Sequence, residues 1–208
     1  AQRQRIERKA RSLQVARSTF SKRPFVEVTL DSIGQAADVD RGVASMYFRT
    51  KEELFLLLLR QELGEWYSEL EAELERVDGR LSRSELVELL AGSLARRKEL
   101  TRFLSYEALV LEQNLDAMEA YRYQRWRRDR MTAIGAHLEE SADGLEEGTG
   151  IRLLHRVQLL AAVLEPTADP KGAATYEAYD PDFEVFAIDF EAELKFFVTA
   201  MLKEGVNG

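Results

Sequence analysis

Cysteine is absent from the 208 residues. That excludes disulfides, a thiol nucleophile and any thiolate metal site, and it fits a reducing interior, so a cytoplasmic location is expected. Histidine is nearly absent. His137 and His155 are the two in the chain, and neither has a second histidine at i+4. Each reads as a structural or surface residue, and no metal is expected. Long apolar runs are missing too. The richest, Leu54 to Leu59, is far short of the roughly 20 residues that span a bilayer, so no membrane partner is expected. The N-terminus is basic rather than apolar, which does not suit a signal peptide; the start at Ala1 without Met reads as processing or trimming. There is no nucleophile elbow, phosphate-binding glycine loop or dinucleotide fingerprint, and Gly148-Thr149-Gly150 reads as a helix start. No catalytic residue and no cofactor is expected. Proline is rare, and Pro24, Pro166, Pro170 and Pro181 mark the breaks.

What is present is charge of uneven distribution. The chain carries a net −8 with 45% hydrophobic residues, enough for a core in one large or two small domains. Residues 1–51 hold 11 Lys and Arg against 5 Asp and Glu, a net of +6; the remainder carries −14. A basic module on an acidic body is the implied arrangement. Contact with phosphates needs local positive charge, not a basic whole protein. Residues 2–20 read as a helix with Ile6, Ala10, Leu13, Ala16 and Phe20 at helical spacing, and with Arg3, Arg5, Arg8, Lys9 and Arg11 around its start. These arginines suit a DNA-backbone arm, or plainly a solvated helix face.

The most informative stretch is Thr29 to Lys51, TLDSIGQAADVDRGVASMYFRTK. It reads as two short helices joined by a tight turn. Thr29 and Asp40 stand as N-caps, Ile33, Ala37 and Val39 pack one helix on the other, and Asp38 occupies the turn. The second helix, from Arg41 to about Phe48, would offer Arg41, Gly42, Val43, Ser45, Met46 and Tyr47 to a major groove. Met46 and Tyr47 can instead pack inside the small domain, and Phe25, Val28 and Phe48 read as its core. Val39, Gly42, Tyr47-Phe48 and Lys51-Glu52-Glu53-Leu54, with Ala16, Phe20, Phe25 and Thr29 upstream, resemble the TetR family of bacterial transcriptional regulators in order and spacing. The resemblance implies a helix-turn-helix domain at 1–50, a helical ligand-binding and dimerisation domain at 51–208, a phosphate contact from Lys51, and Thr29 among the DNA-binding residues. Ser45 stands where the family usually has a phosphate-contacting Tyr, Asp38 replaces the usual Gly, and Asp31 takes a position that is basic in some members.

The body reads as all-α. A long helix is expected from Lys51 to about Val77, ended by Asp78-Gly79. Ser82 and Glu85 form a capping-box pattern that opens a helix to about Lys98. Further helices are expected over about 101–114 and 116–140, and from Thr149 or Gly150. Arg122, Arg125, Arg127, Arg128 and Arg130 read as a solvated, acid-paired surface, or as a site for an anion. Phe103, Tyr106, Leu109, Gln113, Tyr121, Trp126 and Gln158 mix apolar walls with a few polar groups, as small-molecule pockets do; each can equally be core. The segment Val157 to Leu164, VQLLAAVL, and a final helix expected from Phe183 to Lys203 are apolar on more than one face. One face can cover its own body and the other needs a partner. The implied partner is a second copy, through Val157, Leu160, Leu164, Phe186, Phe190, Leu194, Phe197 and Met201 in a four-helix interface. The connection 165–182 exceeds the length of most structureless loops.

The expected function is a dimeric one-component transcriptional regulator, a repressor, that binds a palindromic double-stranded DNA operator and is released by a small, partly hydrophobic effector. The alternatives are a ligand-independent DNA-binding regulator, a helical protein-interaction module, and an enzyme with a helical body, the last favoured only by a pocket of strongly perturbed acids.

Overall fold

Helices are the regular elements of the computed structural model, which describes residues 2–37, 48–112, 115–168 and 180–204. In chain order they are α1 (Gln2–Lys22), a 3₁₀ turn (Phe25–Glu27), α2 (Leu30–Ala36), α3 (Lys51–Glu75), α4 (Arg83–Val87), a π-helical turn (Glu88–Gly92), α5 (Ser93–Ala95), α6 (Lys98–Glu112), α7 (Ala117–Ser141), α8 (Thr149–Thr167), a second 3₁₀ turn (Pro181–Phe186) and α9 (Phe190–Glu204). Among the described residues the one β-type contact is an isolated parallel bridge between Leu81 and Ala142.

The chain divides into two units, Ala1–Leu63 with Tyr106–Arg125, and Gly64–Ser105 with Trp126–Gly208. The first therefore takes in more than the expected head at 1–50. An aromatic cluster explains the extension. Phe20 stacks on Phe25 at 5.6 Å between ring centroids, Phe55 of α3 meets both edge-on at 5.2 Å, and Tyr106 of α6 lies 6.1 Å from Phe25 and 6.3 Å from Phe55. Such pairs add about 0.5–1.5 kcal/mol each beyond the area they bury. Ala16, Val28, Ile33, Ala37 and Phe48 complete this core as buried residues, and Arg17 of α1 pairs with Glu62 of α3 at 2.7 Å.

The second unit is built on α8. Leu153, Leu154, Val157, Ala161 and Leu164 are buried there, and α9 lies against it with Leu194, Val198 and Leu202 buried. Both α4 and the π-helical turn also touch α9. The expected single helix from Ser82 to Lys98 is broken in character by that π turn, where Ser93 accepts a hydrogen bond from Trp66 Nε1 at 2.8 Å and donates to the Leu90 carbonyl at 3.2 Å. The capping box at its start is present: Ser82 Oγ accepts from the Glu85 N–H, and Glu85 accepts from the Ser82 N–H at 2.8 Å. Those bonds hold the Glu85 carboxyl below its ordinary pKa, the Ser82 hydroxyl being the larger cause. The expected helix from Phe183 is also corrected. It is a 3₁₀ turn, a break at 187–189, and then α9, because Asp189 accepts from the Ala192 N–H at 2.7 Å as an N-cap.

Candidate nucleic-acid interface and helical body

Thr29 is placed by local chemistry. Its backbone is extended, its Oγ1 accepts from the Ser32 N–H at 3.1 Å, and Ser32 Oγ accepts in return from the Thr29 N–H at 3.1 Å. This reciprocal cap starts α2 as the sequence suggested. The hydroxyl oxygen is engaged as an acceptor, and its proton can still be donated to a phosphate.

Lys51 opens α3. A cation is disfavoured at a helix N-terminus, and three features offset this: Glu52 and Glu53 in the same turn, the Phe25 carbonyl that accepts from Nζ at 2.9 Å, and the Phe25 ring 4.4 Å below it. Thr29 and Lys51 line one open concavity of about 530 Å³ with Val28, Leu30, Thr50 and Glu52. The first turn of α3 is capped by Thr50, whose Oγ1 accepts from the Glu53 N–H at 3.1 Å, while Glu53 accepts from the Arg49 N–H. Of the residues expected to reach DNA, Arg41, Gly42, Val43, Ser45, Met46 and Tyr47 lie outside the described residues, as do Asp38 and Asp40.

The residues expected around an effector do not gather in one unit. Tyr106, Leu109 and Tyr121 belong to the first, where Tyr106 joins the aromatic cluster and Tyr121 is exposed. Phe103, Trp126 and Gln158 belong to the second. Phe103 is fully buried and Gln158 nearly so. Gln113 lies outside the described residues. In the second unit Gln158 Oε1 accepts from the Tyr67 hydroxyl at 3.2 Å and from Arg127 Nε and Nη2 at 3.2 and 2.9 Å. Tyr67 was not singled out from the sequence, and Arg127 was grouped with its neighbours as acid-paired surface or an anion site. The signal for Arg127 was available: Tyr123, Arg127, Met131, Ile134 and Leu138 form one inward stripe on α7. Three of the other arginines there pair with acids, Arg122 with Glu119, Arg128 with Asp129 and Arg130 with Glu71. Desolvation, and secondarily the Arg127 charge, hold the His155 imidazole below its ordinary pKa.

The residues expected at a dimer interface fall on two different faces. Val157, Leu164 and Leu194 are buried within the protomer, Leu160, Phe190 and Met201 are half-buried, and Phe186 and Phe197 are exposed. Phe197, one of the expected residues, is exposed on α9 together with Phe196, and Leu159 and Val163 are exposed on α8, with Leu159, Val163 and Phe196 more than half exposed at 51%, 66% and 65%. Both faces of each helix are apolar, so spacing alone did not say which one turns to the protomer's own core.

Among the described residues no helix is long and apolar enough to cross a membrane, and no group of His, Cys, Asp and Glu could hold a metal ion. No curated protein matches the chain. A solved structure similar to it is that of the fatty acid degradation regulator FadR from Bacillus halodurans, with 13% identity, a TM-score of 0.58, and coverage of 96% of this chain and 98% of that one. The profile of the bacterial regulatory proteins of the tetR family matches residues 13–58, and that of the tetracyclin repressor-like C-terminal domain matches residues 60–206. The chain belongs to the TetR family, as a DNA-binding transcription regulator and not an enzyme.

Proposed function

We propose that the protein is a cytoplasmic homodimeric repressor that binds a palindromic operator through residues 29–51 and leaves it when a small, partly hydrophobic effector enters the helical body. The observation that carries this reading is that one chain holds both a capped, basic N-terminal segment matching the family and, in its second unit, an outward apolar face on α8 and α9. Two-fold operators require two heads about 34 Å apart, and a face of Leu159, Val163, Phe196 and Phe197 is what a second copy would cover. In this reading Thr29 and Lys51 contact phosphates, and Arg41 to Tyr47 read base edges. Repression follows because an occupied operator blocks polymerase. Effector and DNA favour different conformations of the dimer, so binding one lowers affinity for the other.

The experiment is operator selection from random duplexes followed by anisotropy titration at fixed salt. A two-fold symmetric consensus, bound by wild type and weakened about tenfold or more by Arg41→Ala without loss of dimer, supports the reading; loss of one good base contact is on this scale. No enriched sequence, or an asymmetric one bound by a single protomer, would overturn it.

A further inference from the structure

Gln158 of α8 is 1% exposed, and its two polar atoms have opposite fates. Oε1 takes three donors, two of them from the Arg127 guanidinium. A guanidinium can only donate, so the atom facing it must be oxygen and the amide cannot be turned round. That fixes Nε2, which is buried with no hydrogen-bond partner. A buried donor left unpaired is costly, and interiors keep few of them. Its setting is aromatic and enclosed. Tyr67 is fully buried, its ring lies 6.1 Å from that of Trp126, and Arg127 is 7% exposed.

We propose that Gln158 Nε2 is a recognition donor for the effector, and that the effector is an apolar molecule ending in an anionic oxygen group of the carboxylate, sulfonate or phosphate class. This rests on the effector-binding reading above. The preference for an anionic oxygen follows from polarisation. An amide whose oxygen accepts from a cation and a hydroxyl has its N–H bonds strengthened as donors, and a polarised donor out of reach of water gains most from a charged acceptor. Trp126 and Tyr67 supply apolar surface for the rest of the molecule.

The test uses two fluorescent probes on the full chain. One is 8-anilinonaphthalene-1-sulfonate; the other, N-phenyl-1-naphthylamine, has the same rings and no sulfonate. Wild type is expected to bind one sulfonate probe per protomer, about tenfold or more tighter than the neutral one, the scale of one hydrogen bond to a charged group. Gln158→Glu keeps an oxygen towards Arg127 and Tyr67, removes the donor and adds a negative charge. Gln158→Met removes the donor without adding charge, so it is measured beside Gln158→Glu and should show the same selective loss. Gln158→Glu should weaken the sulfonate probe by about tenfold or more and leave the neutral probe within about twofold. Equal affinity of both probes for wild type, an unchanged sulfonate probe in Gln158→Glu, or equal loss of both probes would overturn the proposal. Should Gln158→Glu not fold, Gln158→Met alone is compared with wild type. Operator affinity of ligand-free protein is measured alongside: a wild type that ignores every selected duplex sinks the regulator reading and leaves the probe result to be judged alone.

Discussion

Lys51 and Phe25 are joined twice, by a 2.9 Å hydrogen bond from the ammonium to the carbonyl and by the ring beneath the charge at 4.4 Å. One lysine proton is used and others remain for a phosphate. Lys51→Met keeps the stem and loses the charge. The expected cost is about 1–2 kcal/mol in urea unfolding, from a charged hydrogen bond at a half-buried site. Operator affinity should fall across all sequences, and the slope of log K against log salt should shrink by about one. An unchanged slope would remove Lys51 from the phosphate contacts.

Gly135 and Gly150 bring the backbones of α7 and α8 together. A Cβ on Gly150 would stand 2.1 Å from the Gly135 carbonyl oxygen, and one on Gly135 would stand 2.5 Å from Ile151 N. Both obstacles are main chain, so neither can step aside as a side-chain end could. Gly150→Ala is expected to lose about 2 kcal/mol or more, or to fail to fold, as overpacking does. A denaturation midpoint equal to wild type would contradict the close crossing.

Val163 and Phe196 are exposed on adjacent helices of the second unit. Val163→Glu combined with Phe196→Glu places charge on that face and removes nothing from the protomer core. Sedimentation should change from twice 23.8 kDa to 23.8 kDa, with the helical circular dichroism retained. A double variant that stays at the wild-type mass would place self-association elsewhere.

His155 supplies a pH dependence with a definite sign. Its folded pKa lies below the ordinary value of about 6.5, through desolvation first and the Arg127 charge second. The unfolded chain therefore binds more protons in the window just below that value, so this contribution to stability falls as pH drops through about 6.5 towards the folded pKa. His155→Gln should flatten the melting temperature against pH just below about 6.5 relative to wild type. Parallel curves would exclude the residue.

The sequence was most legible where structure is decided locally. Thr29, and Ser82 with Glu85, announce helix starts through short-range hydrogen bonds, and the structure places helices at each. Phe25, Val28 and Phe48 lie in the core as their apolar spacing suggested. Legibility failed where two answers had the same pattern. Val157 and Leu159 are equally apolar, yet one is buried and the other half exposed, because the choice is made by α9 and not by α8. Arg127 was grouped with its surface neighbours since charge usually means solvent; its place on the inward stripe with Met131 and Ile134 outweighs that prior. The break before α9 was hidden by a regular aromatic spacing that runs from Phe183 through Phe190 across Asp189.

The proposed function requires that two chains, each with a basic head and an acidic body, act together on DNA. Sedimentation velocity of the full chain mixed with a duplex recovered from random-sequence selection, at a fixed salt concentration, measures this. Two protomers per two-fold symmetric duplex are expected, and a dimer of twice 23.8 kDa in its absence. A protein that remains at 23.8 kDa at micromolar concentration and does not co-sediment with any selected duplex would contradict the proposed function.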